Sequence, residues 1–187
     1  INFQHGNPLE LADQVFLFKR TLRQAALKHK LYATFMAKPM ENQPGSSLHL
    51  HQSLLNKKNK KNIFYSKKNT ISNLMKNYIG GLQEFTPKLM PIHAPNINSY
   101  RRLFATWDAP KNTKWGIGNR SCGFRIPSNE EYGMRIENRI SGSDTNPYLV
   151  FAANLAAGYL GIKNKTKPTK ESKKSVFNEK KSSLPKN

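Results

Sequence analysis

The sequence has few of the residues on which several common protein classes depend. It has a single cysteine, Cys122, among 187 residues, which excludes an internal disulfide framework and fits a reducing cytoplasm. No apolar run reaches the length of a membrane-spanning helix, and no segment resembles a signal peptide. The composition therefore predicts a cytoplasmic protein without a membrane partner, long enough for one domain or part of one. The chain begins at Ile1 without an initiator methionine, so we expect a processed chain or a piece of a longer one.

Acidic residues are also scarce, and this raises nucleic acid as a partner. The chain has 31 lysines and arginines against 11 acidic residues, a formal net charge of +20. Much of the excess lies in two low-complexity stretches rich in Lys and Asn, at residues 57–68 and from Lys163 onward. Such stretches are typical of solvated loops and tails, so we predict no nucleic-acid partner. Non-enzymatic nucleic-acid binding stays open as an alternative of another class, and it would be strongly salt-dependent.

The familiar catalytic motifs are missing, and an alternating segment stands out in their place. We find no P-loop, no GxGxxG, no internal repeat, and no Ser-His-Asp or Cys-His constellation. Residues 45–54 alternate in polarity, which in a strand places one set of polar side chains on one face. That set is Ser47, His49, His51 and Ser53. Gly45 lets a ligand approach the backbone closely. Taken alone, a His-x-His pair more often only forms hydrogen bonds in a half-buried strand.

Hydrophobic spacing predicts three long helices and several strands around this segment. Asn7 and Pro8 begin a helix that runs to about Lys28, and Asn69 or Thr70 caps a second one. An apolar helix follows Pro147 over residues 148–162. Residues 31–36 are rich in β-formers and predict a strand.

A second alternating segment carries charge rather than imidazole. Arg135, Glu137 and Arg139 share one strand face, which by itself fits a simple ion-pair ladder. Three further arginines lie in segments that resemble strands or strand edges: Arg102, Arg120 and Arg125. Arginines converging on one cavity repel one another unless a triphosphate, a metal-bound phosphate or a carboxylate neutralises them. A divalent cation would in turn prefer Glu137 and an imidazole such as His49, and the set as a whole favours phosphoryl transfer.

Five collinear segments together resemble the glutamine synthetase superfamily. They are residues 33–39, 45–54, 98–103, 119–127, and 135–139 together with 146–149. The resemblance covers residues 1–165 and implies the C-terminal part of that family's catalytic domain. The implied fold is α+β, with an antiparallel curved sheet and flanking helices. We predict that residues 166–187 form a weakly ordered Lys/Ser-rich tail, and that upstream metal-binding glutamates are missing, so that the fragment alone is inactive.

The resemblance also implies a role for each matching position. His49 and Glu137 are implied metal ligands for Mg²⁺ or Mn²⁺. The implied glutamate-binding residues are Gly45, Arg102 and Arg139. The implied ATP-binding residues are His51, Ser53, Arg120, Arg125 and Arg135. Asp108 and Arg120 are the implied catalytic residues: Asp108 replaces the family's flap glutamate and is one methylene shorter, and Arg120 steadies the transferring phosphate with Arg125.

The implied function is an ATP-dependent ligase that activates glutamate as γ-glutamyl phosphate and joins it to an amine. Several short segments are more similar to the γ-glutamylpolyamine synthetase branch, among them residues 8–15, 135–139 and 157–161. This similarity favours a polyamine such as putrescine as the acceptor. Glutamine synthesis from ammonia is the alternative within the family. A member that has lost catalysis is disfavoured, because the expected site residues are present or conservatively replaced. The resemblance further implies a homo-oligomeric ring.

Overall fold

Five α-helices, one short 3-10 helix (Thr86–Leu89) and six short strands are found in the part of the chain that the computed structural model describes, residues 1–67, 70–105, 109–127, 130–177, 179 and 182–185. The helices are α1 (Pro8–Lys28), α2 (Asn73–Phe85), α3 (Met90–His93), α4 (Ile97–Ala105) and α5 (Pro147–Lys163). The strands are β1 (Leu50–Gln52), β2 (Tyr65–Ser66), β3 (Thr70–Ile71), β4 (Trp115–Ile117), β5 (Phe124–Ile126) and β6 (Ile136–Asn138). None of the described helices is both long and apolar enough to cross a bilayer.

Side-chain caps fix where the long helices begin. The Asn7 carboxamide accepts the Leu9 N–H at 2.9 Å, and Asn146 caps α5 in the same way. A proline follows each cap, where its fixed φ suits the first turn and its missing N–H costs nothing. The predicted starts of α1 and α5 are therefore confirmed. Helix α2 begins later than predicted, because Thr70 pairs in β3 and Ser72 supplies the cap.

The central sheet has the strand order β1-β6-β5-β4. Strand β6 runs antiparallel to both β1 and β5, whereas β4 is parallel to β5. The predicted α+β class with an antiparallel-rich sheet and flanking helices is confirmed. The register places His51 and Arg125 opposite Glu137 on its two sides. Three polar side chains thus lie in a row across one face of the sheet.

Two predictions of local structure are wrong. Residues 31–36 form no strand, and Leu31 and Tyr32 are 63% and 90% exposed. A strand needs a neighbour to complete its ladder, and β-propensity alone does not supply one. Arg102 lies in α4 and not on a strand, because Tyr100, Leu103 and Phe104 turn towards the core at helical spacing.

The opposite face of the sheet packs against α2 and α5. These two helices cross so closely at Gly81 and Gly161 that a Cβ on Gly81 would lie 2.6 Å from the Gly161 Cα. Between the helices and the sheet, Tyr78 meets Phe64 edge-on at 5.2 Å between ring centroids. The two glycines let α2 approach α5 closely, and burial of the apolar face of α2 stabilises this packing.

The described part of the C-terminal stretch contacts the domain before it. Ser172 N–H donates to the Trp115 carbonyl at 2.9 Å, and the Trp115 indole donates to the Thr169 carbonyl at 2.7 Å. Val176 and Leu184 are buried. The division of the chain at residue 165 stays a prediction.

A buried histidine makes stability depend on pH. His93 is 1% exposed, its Nδ1 lies 2.8 Å from the Ser141 hydroxyl, and burial lowers its pKa from 6.5 to about 4. In that interval the unfolded chain binds a proton that the folded chain does not. Lowering the pH through the interval therefore costs stability, up to about 3 kcal/mol. We expect His93→Gln to remove this slope in urea unfolding across the interval. His29→Gln, at an exposed position, is the control and keeps the slope; an unchanged slope in His93→Gln would contradict the assignment.

Candidate active site

One face of the sheet gathers the polar side chains of three strands. Strand pairing places His51, Glu137 and Arg125 side by side on this face. Because side chains alternate along a strand, the residues two positions away from these lie on the same face. They are His49, Arg135 and Arg139. The sequence predicted both alternating segments, and the structure brings them onto the same face.

Glu137 is the centre of this face. It is 3% exposed, and its carboxylate accepts from Arg139 at 2.7 Å and from Arg125 at 2.9 Å. The His49 Nδ1 lies 3.1 Å from the same carboxylate. Burial by itself raises the pKa of Glu137, but hydrogen bonds from His49 and Arg125 and the charge of Arg139 outweigh it and hold the pKa well below its usual range. Glu137 is therefore ionised at neutral pH.

His51 lies opposite Glu137 on the neighbouring strand β1 and is hydrogen-bonded to Arg135. The Arg135 Nε donates to the His51 Nδ1 at 3.0 Å, and its Nη1 donates to the Gly133 carbonyl at 2.9 Å. Burial lowers the pKa of His51; Glu137 raises it, and Arg135 lowers it further. An Nδ1 that accepts from a guanidinium carries no proton. His51 is therefore a neutral imidazole that carries its proton on Nε2.

Positive charge outweighs negative charge on this face. The face has three guanidiniums and one carboxylate: Arg125 and Arg139 contact Glu137, and Arg135 contacts His51 beside it. The Nε atoms of Arg125 and Arg139 are buried and have no hydrogen-bond partner among the described residues. Like charges held this close need a further anion to offset them. The face is therefore electrostatically suited to a polyanionic ligand.

Gly45 and Arg102 adjoin this face at its Arg139 end. Arg102 is 3% exposed and donates to the Ile140 carbonyl at 2.7 Å and to the Arg139 carbonyl at 3.0 Å. A Cβ on Gly45 would lie 2.7 Å from the Arg102 Cγ and 2.9 Å from the Ala37 carbonyl oxygen. The three residues predicted to bind glutamate thus form one contiguous group.

The model of the glutamine synthetase catalytic domain matches residues 1–187. The chain belongs to this family. γ-Glutamylputrescine synthetase PuuA of Escherichia coli (strain K12) is 40% identical over 165 residues, which are 88% of this chain and 35% of that protein. Glutamine synthetase of Pyrococcus abyssi is 41% identical over 168 residues, 90% of this chain and 38% of that protein. The chain thus spans little more than a third of the length of these relatives.

Other comparisons within the glutamine synthetase family agree. Glutamate–isopropylamine ligase of a Pseudomonas species is 39% identical over 170 residues, 90% of this chain and 37% of that protein. Among solved structures, GmaS in complex with ADP superposes with a TM-score of 0.89 at 31% identity. That match covers 100% of this chain and 45% of the other.

Three residues with predicted roles in this family's chemistry are not joined to the group around Glu137. Arg120 is exposed in the turn between β4 and β5, and no contact among the described residues links it to Glu137. Ser53 is exposed just beyond the end of β1, on the side of His51. Asp108 lies outside the described residues. The roles of these three stay predictions.

The donor set of His49 and Glu137 fits a divalent cation in part. An imidazole nitrogen and a carboxylate within 3.1 Å of each other suit Mn²⁺ or Mg²⁺. Among the described residues no group of three His, Cys, Asp or Glu side chains converges. Any ion held here would therefore need further ligands from substrate, water or parts of the protein outside the described residues.

The loop before Gly45 is held by a contact that no pattern in the sequence indicated. The Asn98 carboxamide accepts the Lys38 N–H and donates to the Lys38 carbonyl, both at 2.8 Å. Asn98 lies one turn before Arg102 in α4. The same helix therefore positions Arg102 and the chain that leads to Gly45. The i, i+4 spacing of Asn98 and Arg102 was visible in the sequence, whereas the contact of Asn98 with Lys38 was not.

We expect an added methyl group at Gly45 to disturb Arg102. In Gly45→Ala the Cβ overlaps the Arg102 side chain and a backbone carbonyl, and such overpacking costs about 1–3 kcal/mol. Thermal unfolding measures this loss. Gly6→Ala is the matched control, because nothing lies within 4 Å of a Cβ at Gly6. Equal midpoints for the two variants would contradict the close approach.

Proposed function

We propose that this protein is an ATP-dependent ligase that joins the γ-carboxylate of glutamate to an amine. The observation that carries the proposal is the buried, ionised Glu137 held by Arg125 and Arg139, with the two histidines beside it. A hydrolase with a nucleophilic side chain has no need of so many fixed cations. Transfer of a phosphoryl group has that need, because its charge must be offset throughout the reaction.

The two ends of the site take different parts of the reaction. His51, Ser53 and Arg135 would contact ATP, while Gly45, Arg102 and Arg139 would hold glutamate. Arg125 lies between these groups, beside Glu137, and would stabilise the transferring phosphate together with Arg120. Contacts from two guanidiniums, those of Arg102 and Arg139, would align the attacking glutamate with the phosphate at little further cost in entropy.

The proposed ligase reaction has two chemical steps. The glutamate γ-carboxylate attacks the terminal phosphorus of ATP, so a bond forms to the γ-carboxylate oxygen and ADP leaves. The amine nitrogen then attacks the acyl carbon of γ-glutamyl phosphate, forms the amide and releases phosphate. Asp108 would orient the amine and accept its proton. His49 and Glu137 would hold a divalent ion, which when bound offsets charge on the phosphates.

A polyamine such as putrescine is the acceptor that we favour. The segments at residues 135–139 and 157–161 are similar to those of the polyamine branch. Two of the relatives above are named for amines other than ammonia. The Pyrococcus glutamine synthetase, at 41% identity, favours ammonia to a similar degree. Ammonia is therefore the second candidate.

Coupled release of ADP separates these candidates. The complete product of the natural gene is supplied with ATP, Mg²⁺ and glutamate, and with ammonia, putrescine or ethylamine in separate reactions. We expect the highest kcat/KM with putrescine. Equal or greater turnover with ammonia would reject the polyamine, and no glutamate-dependent ADP with any acceptor would reject the ligase. A reaction without glutamate controls for other ATP hydrolysis.

Assembly and location belong to the same proposal. We place the protein in a homo-oligomeric ring in the cytoplasm, as the family resemblance and the single cysteine predict. Non-enzymatic nucleic-acid binding is the alternative function of another class, and it stays a prediction. The exposed lysines of residues 57–61 would be its site, and DNA binding that weakens steeply with salt would support it.

A further inference from the structure

The back face of the sheet has a polar pair in an otherwise apolar surface. Gln52 of β1 and Asn138 of β6 point away from the active-site face, beside Leu50, Ile136 and Phe124. Asn138 is 0% exposed, and its carboxamide donates to the Asn154 Oδ1 in α5 at 2.6 Å. The Gln52 Oε1 accepts from the Tyr78 hydroxyl in α2, also at 2.6 Å.

These four side chains form one network, which we call the amide network: Gln52, Tyr78, Asn138 and Asn154. The Gln52 Nε2 reaches the Asn154 Oδ1 at 3.5 Å and so joins the two pairs. The Asn154 Nδ2 donates to the Val150 carbonyl, and the Asn138 Oδ1 accepts the Ile140 N–H. Two strands and two helices thus share a single set of directional bonds.

The apolar pattern of β1 does not by itself define one register. The back-face residues of the segment are Leu48, Leu50, Gln52 and Leu54. Because side chains alternate with a period of two, a slip of two residues returns every side chain to its own face. The slip would place His49 opposite Glu137, in the position of His51. Leucine contacts are non-directional and would change little.

The amide network does distinguish the two registers. After the slip a leucine would occupy the place of Gln52. The Tyr78 hydroxyl would then lose its close acceptor and Asn154 would lose its second donor, both in a buried site. Buried polar groups without partners are costly, and a single buried amide fixes helix register in coiled coils.

We propose that the amide network sets the register of β1 against β6 and so decides which histidine stands opposite Glu137. Its members are positioning residues: they touch no substrate and act through His49 and His51. The catalytic consequence rests on the proposed function, whereas the register does not.

The test compares Gln52→Leu with the double variant Gln52→Leu/Tyr78→Phe in the complete protein. The single variant removes the close acceptor of the tyrosine hydroxyl and leaves it only the Asn154 carbonyl at 3.4 Å, so we expect its thermal midpoint to fall by roughly 5 °C. The double variant removes both polar groups, so its midpoint returns most of the way to that of the wild type. We expect its kcat/KM for ATP to stay about 10- to 100-fold low, because the directional contacts behind the sheet that favour the native register are gone.

A crystal or cryo-EM structure of the double variant reads the register directly. We expect His49 opposite Glu137, alone or mixed with the native pairing. Native pairing alone would overturn the proposal whatever the activity, and a shifted register with wild-type kcat/KM would overturn the positioning role. Gln83→Leu is the matched control, since it removes amide bonds to Thr113 and Thr169 from α2 without touching the sheet register. A wild-type protein without ligase activity would reject the proposed function and leave the register test intact.

Discussion

Replacing Glu137 by glutamine is expected to lower ligase turnover strongly and to weaken the fold at the same time. The amide keeps the shape of the side chain but removes the charge that Arg125 and Arg139 contact at 2.9 and 2.7 Å. Two guanidiniums then lie near each other without a carboxylate, and breaking a buried ion pair in this way costs about 3–5 kcal/mol. His49 also loses its charged neighbour. We expect kcat/KM to fall about a thousandfold, as for loss of a preorganised electrostatic group.

Glu179→Gln is the matched control for this charge removal. Glu179 also pairs with a cation, Lys114, but both side chains are substantially exposed. Exposed ion pairs contribute little, so we expect a stability change within about 0.5 kcal/mol and unchanged turnover. Chemical unfolding and the ADP-release assay measure both quantities. Similar losses in the two variants would show that Glu137 has no special role.

Replacing Arg102 by alanine is expected to raise the KM for glutamate about a hundredfold, because truncating a buried charged partner typically costs 2–5 kcal/mol. The KM for ATP is expected to change much less, since Arg102 lies on the Arg139 side of the site, away from His51 and Arg135. Stability also falls, because two carbonyls lose their donors. The split between the two KM values is the diagnostic readout.

Arg101→Ala is the control for Arg102. It removes the same side chain from the preceding position of α4, where the arginine is exposed. Both KM values are expected to stay at the wild-type level. Unchanged glutamate saturation in Arg102→Ala would remove Arg102 from the glutamate site, and a parallel rise in the KM for ATP would point to general misfolding of the face.

Much of the candidate site was predictable because strand periodicity is a local property. Alternation alone placed His49 with His51, and Arg135 with Glu137 and Arg139, on common faces. Helix starts were equally local, so the Asn7 cap and Pro147 marked two of them correctly. Arg102 could not be placed in this way: its segment resembled a strand edge, and burial of Leu103 against the core selected a helix.

The sequence by itself determined which side chains share a face, where α1 and α5 begin, and the family resemblance. Only the tertiary structure decided that the two polar faces are one, that Glu137 lies under two guanidiniums, and that His51 stands opposite it. The physical reason is that the pairing of β1 with β6 joins residues more than 80 positions apart, such as His51 and Glu137. Their register is selected by directional contacts, such as those of Gln52 and Asn138 with the helices behind the sheet, which no local pattern of the chain encodes.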